Sequence, residues 1–168
     1  LEYIGKNCFA SCRRLVEVDM PDSLCVIGDG AFDGCTQLRK LRLSNSLSVI
    51  PQECFNGCKW LEDVVIPENV SSIEHHAFRN CKSLVSIIIP ESVTSIDKFA
   101  FRGCNHLANI ELPETIEEIG ENAFSSFLIH SHGDVPFVAY LRKEMEKHKL
   151  HTHFLACIVY VILSKLLI

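Results

Sequence analysis

The stretch Leu84 to Cys104, LVSIIIPESVTSIDKFAFRGC, decides the architecture, because its pattern returns every 23 residues along most of the chain. Cys12, Cys35, Cys58, Cys81 and Cys104 stand 23 apart without an insertion. Three residues ahead of each is a phenylalanine (Phe9, Phe32, Phe55, Phe78, Phe101), and that series runs on to Phe124. Five residues earlier comes an isoleucine column, Ile4, Ile27, Ile50, Ile73, Ile96 and Ile119. A period of roughly 20 to 50 residues marks a solenoid, in which each unit buries its apolar side only against its neighbours.

Each further column has a physical reading. Leu15, Leu38, Leu61, Leu84 and Leu107 follow the cysteines, and a second apolar column, Val18, Leu41, Val64, Ile87 and Ile110, comes three residues on. Proline closes the run at 21, 67, 90 and 113, with Ser44 the exception. Leu84 to Ile89 is short, β-branched and ended by a residue without a backbone donor, so it reads as a strand. Repeated once per coil, it predicts a parallel sheet, and Val93 to Ile96 begins the return along the opposite side. The segment before each cysteine, such as Asp29 to Cys35, spaces its apolar residues three or four apart. That spacing predicts a single helical or 3₁₀ turn, too short to stand alone.

The pattern L-x-x-[IVL]-x-[ILM]-P-x-x-[VLI]-x-x-I-x-x-x-[AC]-F-x-x-C resembles the leucine-rich repeats of the BspA-like type over residues 1–127. Ser44, Phe127 in the place of a sixth cysteine, and the unrelated tail depart from it. The resemblance implies an α/β solenoid: a right-handed leucine-rich-repeat coil with a parallel β-sheet on one face and short helical turns on the other. It also implies a protein-binding or surface-interaction module, some relatives being associated with adhesion, and it carries no catalytic motif.

Composition narrows the function classes. The 168 residues are 48% hydrophobic, enough for a continuous core. A formal charge of −5, with 16 basic residues spread through the units, disfavours nucleic acid as a partner. The first coil begins half-way through a repeat, at Leu1, which reads as a fragment of a longer array. Nine cysteines suggest disulfides or metal. However, equivalent positions in adjacent coils lie about 4.8 Å apart, whereas disulfide Cβ atoms prefer about 3.8 Å. The column therefore reads as stacked buried thiols, which favour a reducing, intracellular compartment.

Outward residues of the strands form two rows, Glu17-Lys40-Asp63-Ser86-Asn109 and Asp19-Arg42-Val65-Ile88-Glu111. Lys40, Arg42, Asp63, Val65, Ser86 and Ile88 are the candidate partner-contacting residues, with Val65 and Ile88 an apolar centre inside a polar rim. The phenylalanine and cysteine columns are the structural core, and His75 and His76 are expected on the surface. No nucleophile, base or carboxylate pair recurs at a catalytic spacing, so neither an enzyme nor a cofactor is expected. His130, His132, His148, His151 and His153 have zinc-like spacing without a complete ligand set, and no metal site is assigned to them.

After residue 127 the period ends. Asp134 and Pro136 open a predicted amphipathic helix within 128–150, its stripe of Phe137, Val138, Leu141 and Met145 lying opposite Arg142, Lys143, Glu146 and Lys147. This helix is expected to cap the array. The apolar tail 151–168 contains FLACIVYVILSKLLI (154–168), about 22 Å long as a helix and short of the ~20 residues a bilayer usually needs. The alternative to a soluble interaction module is thus a membrane-tethered, adhesin-type surface protein with 154–168 as its anchor. Ligand identity and oligomeric state are not encoded in any of these patterns.

Overall fold

The chain winds so that each of the first five coils contributes one short strand to each of two walls. The computed structural model describes residues 1–107 and 109–124, all within one compact unit, Leu1–Ser131. The first wall comprises β2 (Glu17–Asp19), β4 (Lys40–Arg42), β6 (Asp63–Val65), β8 (Ser86–Ile88) and β10 (Asn109–Glu111). The second comprises β1 (Tyr3–Ile4), β3 (Val26–Ile27), β5 (Val49–Ile50), β7 (Ser72–Ile73), β9 (Ser95–Ile96) and β11 (Glu118–Ile119). All pairings are parallel, and each joins residues 23 apart, as in Val64↔Ile87 and Ile50↔Ile73.

Both walls are interrupted at the same junction. The first divides into β2–β4 and β6–β8–β10, the second into β1–β3 and β5–β7–β9–β11. In the second wall the cause is chemical. Gly28, Glu74, Asp97 and Gly120 each donate an amide to the isoleucine carbonyl of the preceding coil at 2.7 to 2.9 Å. Pro51 occupies that column and has no N–H to give to Ile27. Ser44, the residue that replaces a proline, borders the same junction and directs its buried hydroxyl to the Leu24 carbonyl at 2.6 Å.

The third side corrects the expected fold class. No helix, α or 3₁₀, occurs among the described residues, so the solenoid is built of strands and turns rather than being α/β. Where a helical turn was predicted, alternate amides do two different jobs. Ala31, Asp33 and Cys35 donate to carbonyls three residues back, while Gly30, Phe32 and Gly34 reach across to Gln52, Cys54 and Asn56 of the next coil. In a helix every interior amide would stay within its own turn. Left-handed backbone enforces the alternation, with φ of +60° at Gly30 and +69° at Gly34 and the same pair of positions repeated in neighbouring coils. Type II turns require such a φ at their third residue, which glycine and asparagine supply at least cost. Glu53, His76 and Phe99 nevertheless adopt it at +56° to +60°. The predicted helical tail and cap (128–150) and the apolar segment 151–168 lie outside the described residues.

The core is a stack of identical side chains. Phe9, Phe32, Phe55, Phe78, Phe101 and Phe124 are arranged with ring centroids 5.2 to 5.5 Å apart and interplanar angles of 1° to 15°. The rings of Phe32, Phe55, Phe78 and Phe101 are fully buried. Beside them Cys35, Cys58, Cys81 and Cys104 are buried and unpaired, each thiol donating to the carbonyl of Phe9, Phe32, Phe55 or Phe78 at 3.1 to 3.5 Å. Phe9 is 38% exposed and Cys12 is also exposed, because among the described residues their coil is covered on one side only.

Candidate interaction surface

Strands β2, β4, β6 and β8 turn their middle residue inward and their two flanking residues out. Val64 and Ile87 are buried, which places Asp63 and Val65, and likewise Ser86 and Ile88, on the outer face. Register then decides which of these meet. Asp63 pairs with Ser86, whose hydroxyl donates to Asp63 Oδ1 at 2.7 Å, and Val65 pairs with Ile88. Val65 and Ile88 are each 62% exposed, forming an apolar step between two hydrogen-bonded strands.

Lys40 and Arg42 stand on β4, which makes no ladder with β6, so the rows drawn through all five strands are continuous only within each half of the wall. Both cations are turned toward the first coil. Lys40 Nζ lies 3.9 Å from Glu17 Oε2, and Arg42 forms ion pairs with Asp19 and, at 3.2 Å, with Asp22. The Asn45 amide, followed by Arg42 and the Asn45 side chain, holds the Asp22 carboxyl below its ordinary value. These pairs are exposed and screened by solvent, so they contribute little stability. Their effect is to fix the orientation of Arg42 beside the apolar step.

Sequence reasoning passed over one part of this face. Trp60, the single tryptophan, is 45% exposed at the entry to β6, with the Arg39 guanidinium 4.9 Å from its ring centre. Val16 and Val85, also at strand entries, are exposed as well. The signal was available: Trp60 shares its column with Arg14, Gln37, Ser83 and His106, and an aromatic in a polar column has no packing reason to be there. The histidines also differ from their expected surface placement. The His75 and His76 rings stack at 3.8 Å, and His76 is largely covered, with Phe99 on one side and Glu53 Oε1 3.6 Å from its Nδ1. Burial first, then the neighbouring His75 and Arg79, pushes the His76 pKa down.

The buried thiols are chemically quiet. Burial pushes Cys35 up to about 11 and raises Cys54, Cys58 and Cys81 further, so little nucleophilic thiolate forms near neutrality. Among the described residues no group of three or more His, Cys, Asp or Glu is placed to hold a metal ion. Nor is any helix there long and apolar enough to cross a membrane.

The model for the BspA type leucine-rich repeat region matches six copies, over residues 1–91 and 71–132. The chain belongs to the BspA-type leucine-rich repeat family. Solved structures agree with this. The BspA-type array here is similar to a leucine-rich cell surface protein from Faecalibacterium prausnitzii, at 34% identity and a TM-score of 0.61, over 75% of this chain and 33% of that one. It is similar to a leucine-rich repeat protein from Eubacterium ventriosum at 26% identity and a TM-score of 0.69, covering 76% and 35%. A leucine-rich repeat protein of T. pallidum matches at 28% identity and a TM-score of 0.64, covering 85% and 76%. The chain thus spans about a third of the length of the first two, at 33% and 35%. No curated protein matches it. The BspA-type fold is typical of protein-protein and surface interaction modules and is consistent with a non-catalytic role.

Proposed function

We propose that this BspA-type array binds another protein through the outer face of its first wall, without catalysis, using Val65 and Ile88 as the apolar centre. The observation that carries the reading is the in-register exposure of those two side chains, 62% each, on strands locked by a backbone ladder. Solvent-exposed Val and Ile side by side on a rigid surface are costly unless something covers them, and burying each contributes about 1.5 to 3 kcal/mol. Arg42, Lys40, Asp63 and Ser86 supply the polar rim that orients a partner. Replacing Arg42, Val65 and Ile88 together with serine is expected to weaken binding of a partner captured by the intact array by at least about tenfold. Unchanged affinity would remove this face from the binding site.

A surface-displayed role is the second reading, supported by the description of the Faecalibacterium prausnitzii protein as a cell surface protein at 34% identity. In it, residues 154–168 tether the array to a membrane. Comparing the detergent partition of the chain with and without residues 150–168 tests the tether, and identical partition would dismiss it.

A further inference from the structure

The cations of this acidic chain differ in how they are partnered. In the first two coils Lys6, Lys40 and Arg42 are each held by a carboxylate, while Arg13, Arg14 and Arg39 are exposed and form no ion pair among the described residues. On the turn side of the next three coils Lys59, Arg79, Lys82, Lys98 and Arg102 have no ion pair among the described residues, and all but the half-buried Arg79 are exposed. Arg79 and Arg102 share one column, Lys59 and Lys82 another. The backbones are bonded at these points, Asn80 N to the Arg102 carbonyl at 2.8 Å and Ser83 N to the Lys59 carbonyl at 3.0 Å. The backbones that carry these like charges therefore lie about one strand spacing, ~4.8 Å, apart, and like charges on directly opposed residues repel unless a counter-charge intervenes.

The carboxylates nearby keep their charge but bond to other groups of the chain and, among the described residues, form no ion pair with these five cations. Asp33 accepts from Asn56 Nδ2 at 2.8 Å, Glu74 from the Gln52 amide at 3.0 Å and Asp97 from the Lys98 amide at 2.6 Å, while Glu53 faces His76. Arg79 Nε is shielded from solvent and has no partner. Apolar surface adjoins the charges: the Arg102 guanidinium lies 5.1 Å over Phe99, itself packed on the stacked His75 and His76.

We propose that this turn face is a second interaction surface, which binds an acidic segment of another protein. Arg79 and Arg102 form one row of contacts to its carboxylates, Lys59 and Lys82 the other, and Phe99 with the imidazoles receives an apolar side chain. No residue is shared with the first wall, so the two surfaces stand or fall separately.

The test uses the full chain and a labelled poly-glutamate peptide carrying one phenylalanine, with its glutamine counterpart and heparin as comparators. Saturable binding of the glutamate peptide that weakens with salt is expected, since screening shortens to about 8 Å at physiological ionic strength. The pair R79S and R102S should lose about tenfold, each exposed charge contact being worth up to about fivefold. R79K with R102K should keep most of the affinity, and V65S with I88S all of it. Equal binding of the glutamine peptide, binding of heparin alone, or an unaltered affinity in the serine pair would overturn the proposal.

Discussion

Truncating one ring in the middle of the phenyl stack separates a continuous core from a set of independent coils. Phe55 is fully buried between Phe32 at 5.5 Å and Phe78 at 5.3 Å. Phe55→Ala removes a whole buried ring and two stacked contacts, which costs about 3 to 5 kcal/mol. Phe9 is already 38% exposed and stacks on Phe32 alone, at 5.2 Å, so Phe9→Ala should cost about 1 to 2 kcal/mol on the same basis. With a urea dependence of about 2 kcal/mol per molar, the midpoints should fall by roughly 2 M for the first variant and under about 1 M for the second. Trp60, sited in the same coil as Phe55, reports the transition by fluorescence. Equal shifts for the two variants, or a loss below about 1 kcal/mol at Phe55, would refute the claim that stability comes from two-sided stacking.

Four further outcomes follow from the same geometry. Thiol labelling near pH 8 should modify Cys8, Cys12 and Cys25 quickly, while Cys35, Cys54, Cys58, Cys81 and Cys104 resist until urea is added. Because burial raises the folded pKa values of Cys35, Cys54, Cys58 and Cys81, the unfolded chain releases those protons first, and stability should decline as pH rises above about 9, as alkaline unfolding titrations would show. His76 has the opposite dependence: its pKa is lowered, so its contribution is present at neutral pH and lost as pH falls below about 6.5, and His76→Gln should flatten that part of a thermal-stability profile. Pro51→Ala gives Ile27 the missing donor, and the new amide should exchange slowly with deuterium. Overall stability should change by less than about 1 kcal/mol, because the gained bond and the lost proline rigidity offset each other.

Much of the fold is legible in the sequence because a strict 23-residue period permits one register, and each strand pairing follows by addition. The turn side was misread for a definable reason. Apolar residues three and four apart satisfy a short helix and a chain of type II turns equally well, so the deciding signal was the Gly or Asn recurring just before the cysteine and four residues earlier. Glu53, His76 and Phe99 obscured it, since the interchain-like ladder between coils holds them at a φ their side chains disfavour. Phe9 and Phe55 show a second limit. They are equivalent letters in the repeat, yet their burial differs with the number of covering coils, which a local pattern does not record. Of the candidate surface, the apolar pair and its neighbours were readable from strand alternation. The gap between β4 and β6 was not, because it does not follow from the averaged motif, whereas Trp60 was marked by its otherwise polar column and passed over.

The alternating amides of the turn wall have an electrical consequence. The amides of Asn7, Phe9 and Ser11, and those at the same repeat positions up to Phe101, each point toward the following coil, at 2.6 to 3.3 Å from the carbonyl they meet. Aligned peptide dipoles add, as they do along an α-helix. The turn wall therefore has a positive pole toward its later coils and a negative pole at its first, a polarity belonging to the backbone and independent of which side chains the repeat happens to carry.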